Sequence, residues 1–151
     1  MARFRYSLQN VLDIKLKMEN QARQEFANSK NALDDELAKR DALLERKRYY
    51  DEESQRLRMG SLSVLDLEAN QNALLVMDGY LRKQDEEVKK AEKKLDEARE
   101  KLTEVMKERK TQETLKEKAF DEFLIEENRA ESKVVDELTS YTYGQKRQVK
   151  R

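Results

Sequence analysis

The chain contains no cysteine, histidine, proline or tryptophan, and only three glycines in 151 residues. Without cysteine there are no disulfides and no thiolate metal sites, which fits a reducing compartment. Without histidine as well, the commonest metal ligands and nucleophile–base pairs are missing. Gly60, Gly79 and Gly144 stand apart from one another, so no glycine-rich phosphate loop can form. Carboxylates are plentiful, but on convex helical surfaces no pocket shifts their pKa. No enzyme activity, cofactor or metal is therefore expected. The longest apolar run, Ala73 to Met77, falls far short of the ~18 residues of a membrane span. The opening MARFRYSLQN lacks the apolar core of a signal peptide. An excess of positive charge is absent too. The 32 basic and 32 acidic residues cancel, which argues against a generic nucleic-acid binder. A soluble, cytoplasmic protein is expected.

What remains is a chain 42% charged and 37% hydrophobic, too poor in apolar residues for a broad globular core. Long helices or coiled coil are one expectation for such a composition, and disorder is the other. Periodicity decides between them. Stepping alternately four and three from Leu8 gives Leu12, Ala22, Phe26, Leu33, Leu43, Tyr50 and Leu57, interrupted by Lys15, Glu19, Ser29, Glu36, Arg40, Lys47 and Ser54. That is a thin heptad seam, widened by Val11, Leu37 and Leu44. The second half is stronger. Leu74, Met77, Leu81, Val88, Ala91, Leu95, Ala98, Leu102 and Val105 follow the same alternation, with Gln84 the one polar member. After Val105 the register fails at Arg109, Gln112 and Lys116. Apolar residues return at Leu115, Ala119, Phe123, Ala130, Val134, Leu138 and Tyr141, with a spacing nearer eleven residues, which straightens a helix.

Gly60, followed by the N-cap candidates Ser61 and Ser63, marks a helix stop and restart. Ser63 with Asp66 is a weak capping box. The fold expected is all-α: a long antiparallel two-helix coiled-coil hairpin in a single domain, 1–151, with its second arm longer than its first. The expected arms are residues 4–58 and 64–140, with the corner at 59–63 and a basic tail at 141–151. A continuous rod paired in parallel with a second chain is the alternative. Folding at the corner places residue i opposite about 120 − i, so Leu8 lies near Gln112 and residues beyond about 115 lack a partner. Around the corner, Leu43, Tyr49, Tyr50, Leu62, Val64, Leu65, Leu67, Leu74, Leu75, Val76, Met77 and Tyr80 exceed what a two-helix seam buries. Either a break near Gly79 makes a short third helix that covers them, or some form a binding surface. The tail cations Lys146, Arg147, Lys150 and Arg151 are read as solubilising, or as weakly attracted to an acidic partner or membrane surface.

Two stretches resemble a known family. RFRYSLQNVLDIKLKMENQA, with Phe4, Tyr6, Leu8 and Val11-Leu12-Asp13, is similar to the opening of the flagellar FliJ family. ERKTQETLKEKAFDEFLIEENRAESKVVDEL is similar to its later signature: Glu108-Arg109-Lys110, then Leu115 to Lys118 (including Lys116), then Asp136-Glu137. The resemblance implies a non-enzymatic coiled-coil stalk like the gamma subunit of ATP synthase. Its termini-bearing end, with the residues just named, would enter the ring of the flagellar type III export ATPase, FliI, and promote its assembly. Its corner would meet the export gate protein FlhA at the cytoplasmic face of the membrane. By position, the gate-binding residues would be Leu43 and Tyr50 on the first arm and Ala73, Met77, Tyr80 and Gln84 on the second, the latter four sharing one helical face. Ala73 stands where some relatives have an aromatic residue. The resemblance also implies possible escort of export chaperones and a monomeric hairpin. The alternatives are the equivalent stalk of a virulence-type secretion system and a generic coiled-coil scaffold or chaperone. A scaffold of that kind would be a symmetric parallel dimer.

Overall fold

Good helix formers dominate the chain and nothing inside it carries proline's missing N–H, so long helices propagate without a break. The computed structural model describes residues 2–60 and 63–149, with side chains as far as Gln145. It holds two helices, α1 (Gln9–Met59) and α2 (Val64–Val149), the second being the longer. No described helix is long and apolar enough to cross a membrane. The chain forms two compact units: a corner unit, Asn20–Glu104, and a terminal unit, Met1–Glu19 with Val105–Arg151.

In the corner unit α1 and α2 pack antiparallel as a hairpin. Partners run in opposite directions along the chain: Tyr50 with Asn70, Glu36 with Gln84, Glu25 with Lys101. The first two of these pairs lie at the expected register. Ala22, Met77, Val88 and Ala91 are the buried apolar residues, and the two alanines let the backbones approach. The hairpin turns where Gly60 donates its N–H to the Arg56 carbonyl at 3.2 Å. No described glycine has positive φ, so Gly60 ends α1 by weakening it and not as a left-handed cap. Ser63 starts α2. Its Oγ accepts the Asp66 N–H at 3.4 Å and its carbonyl accepts the Leu67 N–H at 3.1 Å, a recognisable N-cap. Arg56 and Arg58 in the last turn of α1, and Asp66 in the first turn of α2, match the signs of the two helix dipoles. Ser61 and Leu62 lie outside the described residues.

Several boundaries differ from the sequence expectation. Met59 is still helical, and α2 runs straight through Gly79. One glycine costs a helix only about 1 kcal/mol, too little to break one supported on both sides. Among the described residues no short third helix forms, and Tyr49, Val64, Leu65, Leu75, Val76 and Tyr80 near the corner stay exposed. α2 also continues beyond 140 to Val149. There Thr139 and Thr142 return their hydroxyls to the Val135 and Leu138 carbonyls, each at 2.8 Å, and so remain helix-compatible.

At the other end of the sequence α1 begins at Gln9, not near residue 4. The Gln9 N–H donates to the Tyr6 carbonyl at 3.1 Å, and residues 2–6 form no helix. A non-helical segment can reach about twice as far per residue as a helix. Phe4 therefore lies against Phe120 and Phe123, with ring centroids 5.1 and 5.4 Å away. Tyr6 meets Gln112, its phenol donating to Oε1 at 3.1 Å. Leu8 is 42% exposed. The non-helical N-terminal segment thus partners α2 as far as Phe123, beyond the residue of about 115 at which helical register alone would end the pairing.

Candidate functional site

Two regions carry the residues that the sequence singles out. In the corner unit the six candidate gate contacts divide by accessibility. Met77 is 5% exposed and belongs to the seam. Leu43, Tyr50, Ala73 and Gln84 are half-buried. The face that Ala73, Met77 and Gln84 share is the one turned toward α1. Tyr80, 49% exposed, is the accessible member of the set.

Gln84 is engaged across the seam. Its Nε2 donates to the Glu36 carbonyl at 2.8 Å and to the Glu36 carboxylate at 2.6 Å. This bond is the main reason the Glu36 carboxyl stays below its ordinary pKa, against the opposing effect of its own desolvation and with help from Lys39. Asn70, 6% exposed, makes the equivalent reach to the Tyr50 carbonyl at 3.0 Å. The two amides sit two heptads apart on α2, and their acceptors two heptads apart on α1. A buried amide that finds its partner in only one alignment sets register. The Asn70 Oδ1 has no hydrogen-bond partner, so part of this device opposes stability. Ion pairs flank the seam at Arg40–Asp85 (3.5 Å) and Lys47–Asp78 (3.1 Å). They are partly exposed and weak.

The accessible surface near the corner is apolar. Val64, Leu65, Leu75 and Val76 are 50–78% exposed, and Tyr49 on α1 is 56% exposed. Leu65 and Val76, eleven residues apart, share one face of α2, and Val64 and Leu75 share the next. Tyr49 packs edge-on against Tyr50 with centroids 5.6 Å apart. Composition alone shows the surplus. Which members the seam takes depends on how α2 is rotated against α1, and that rotation leaves out Val64, Leu65, Leu75 and Val76.

In the terminal unit the Glu108-Arg109-Lys110 motif is split by orientation. Glu108 accepts Lys15 Nζ at 2.8 Å. Arg109 reaches into the seam, pairing with Glu19, itself 4% exposed, and with Glu113 at 2.7 Å. The Glu113 bond, followed by Glu19, raises the guanidinium pKa further against desolvation. The polar interruption of the heptad at Arg109 is thus a built ionic layer. Lys110 and Lys118 are exposed, Lys116 is half-buried, and Leu115 is 42% exposed. Phe4 and Tyr6 are half-buried as described, while Asp136 and Glu137 lie on the exposed stretch of α2. The tail cations Lys150 and Arg151, and the side chains of Lys146 and Arg147, lie outside the described residues.

The sequence matches the profile of the flagellar FliJ protein family over residues 4–148. The chain belongs to the FliJ family. Its structure is also similar to that of a YscO homologue from Chlamydia trachomatis, with a TM-score of 0.78 and 26% identity over 97% of this chain and 99% of that one. No curated protein sequence matches it significantly. Family and neighbour together place this FliJ-family chain among stalk-like proteins of flagellar and type III secretion systems.

Proposed function

We propose that this FliJ-family chain is the non-enzymatic stalk of a flagellar type III export ATPase, working in the cytoplasm at the membrane face of the flagellar base. It promotes assembly and activity of the FliI ring and couples it to the gate protein FlhA. The near-full-length family match carries this reading. The structure supports it with two surfaces that a self-sufficient hairpin does not need: the exposed apolar residues near the corner, and α2 beyond Phe123. The corner unit then meets the gate through Tyr80, Val76, Leu65 and Tyr49, with Leu43, Tyr50 and Ala73 at the edge. Met77 and Gln84 hold the arms behind that surface. The terminal unit meets the ring. There Lys110, Leu115, Lys118, Asp136 and Glu137 are the outward groups, and Phe4, Tyr6, Glu108 and Arg109 set the shape they stand on.

The deciding experiment is steady-state ATP hydrolysis by the cognate flagellar export ATPase with and without this protein, with ring formation followed by electron microscopy. A rise in both is expected. No change with a competent ATPase would sink the stalk reading and favour a scaffold or chaperone. The YscO homologue as structural neighbour favours one second reading, the equivalent stalk of a virulence-type apparatus. Stimulation of that system's ATPase, and not the flagellar one, would establish it.

A further inference from the structure

Residues 2–8 are kept out of α1 by their contacts and not by their own sequence. The segment ARFRYSL holds no glycine or proline, and no described residue has positive φ. Nothing in it closes the helical region of the backbone. Leu8 stands at the N-cap of α1, its carbonyl accepting the Leu12 N–H at 3.1 Å. Leucine is among the poorest N-caps, and the first turn of α1 carries no acidic residue. No local signal therefore fixes the start of the helix at Gln9.

The signal lies on α2. Phe4 packs on Phe120 and Phe123 at 5.1 and 5.4 Å, and Tyr6 donates to Gln112 at 3.1 Å. Arg3 and Arg5 line a shallow groove of about 350 Å³ together with Glu122 and Glu126, an attractive combination of charges. The same two arginines would oppose the helix dipole if α1 began near residue 3. They favour the clasp on both counts. The cover is nevertheless partial, since Phe4 and Phe123 are half-buried and Phe120 is 43% exposed.

We propose that residues 2–8 are a two-state strap, either clasped on α2 as seen or wound onto α1 as about two further helical turns. Residues 4–8 span about 17 Å when extended and about 8 Å as helix. Winding withdraws Phe4 by more than one turn of α2 and uncovers Phe120 and Phe123. The strap is thus a lid that sets how much of the aromatic face of α2 is presented. Both states belong to this chain alone, so the inference stands apart from the ATPase reading.

Backbone chemical shifts of residues 3–8 in the full chain, measured by NMR, test it. In the native chain the clasp dominates and these shifts should be non-helical. Phe120→Ala combined with Phe123→Ala removes the docking site and leaves the sequence of the strap intact. Alanine is the best helix former, so α2 should persist. Residues 4–8 should then move to helical values. Hydrogen exchange should slow at Asn10 and Val11, because winding supplies their N–H groups with the Tyr6 and Ser7 carbonyls. Arg3→Asp provides an N-cap and an acid at the new helix end. It should shift residues 4–8 the same way with both phenylalanines in place. Coil values in the alanine variant, the mark of a strap that only frays when released, would overturn the proposal. So would native shifts unchanged in both variants.

Discussion

In the corner unit, α1 and α2 are held by small and apolar side chains, Ala22, Met77, Val88 and Ala91, with two cross-seam amides at Asn70 and Gln84. In the terminal unit the apolar share shrinks to Leu12 and Val105. An ionic layer at Glu19, Arg109 and Glu113 and an aromatic clasp at Phe4, Phe120 and Phe123 complete it. Apolar contact is non-directional and tolerates sliding. Amides, forked guanidinium pairs and edge-on rings do not. The corner unit therefore gets its stability from one set of residues and its register from another. In the terminal unit directional contacts supply much of both.

The sharpest way to break this contrast is Met77→Asp. Placing a charge in the corner seam should cost about 3 kcal/mol or more, read by urea or thermal unfolding. Tyr80→Asp, three residues on but exposed, should stay within about 0.5 kcal/mol while weakening gate binding. Equal unfolding costs would mean that the two do not differ in burial. Next in size is Phe4→Ala, expected to cost about 2 kcal/mol. The loss should be local: hydrogen exchange should quicken around Phe120 and Phe123 and leave residues 70–91 protected. Uniform loss of protection would erase the distinction between the units. In the ionic layer, Arg109→Met and Glu19→Leu should be coupled, the double variant losing less stability than the two single losses summed, because each single change removes the charge that faces the other. A double-mutant cycle by denaturant titration measures the coupling, and strict additivity would deny it.

Smaller effects sharpen the comparison. Asn70→Leu should raise stability by about 1 kcal/mol by removing the unpaired buried acceptor. It should also broaden spin-label distances between the arms, since one of the two register-setting amides is gone. A narrow distribution would deny Asn70 that role. Gly79→Ala should add about 0.5–1 kcal/mol, because a methyl there meets nothing within 4 Å. A loss on thermal melting would mean that the glycine serves a close approach.

Much of this was legible in the chain. The heptad from Leu74 to Val105 announces a helix with one buried face. Gly60 and Ser63 announce the corner, and the absence of proline announces that little else interrupts. Rotation was harder to read. Ala73, Met77, Tyr80 and Gln84 share a face by spacing alone, but spacing does not say that Ala73, Met77 and Gln84 turn toward α1 while Tyr80 stays accessible. The ERK motif poses the same problem: its letters are all polar, yet Arg109 is drawn inward because Glu19 waits opposite it. The start of α1 is hidden from the sequence, because residues 4–8 fit a helical stripe as well as a non-helical clasp, and local pattern cannot see Phe120.

The sequence by itself determined two long helices, their antiparallel return and which of them is the longer, since these follow from propensity, periodicity and one weak point at Gly60. Only the tertiary structure decided which side chains remain available to partners. Accessibility depends on the rotation of one helix about its axis against the other, and residues distant in the chain, such as Phe4 with Phe120 and Glu19 with Arg109, set that rotation when they meet.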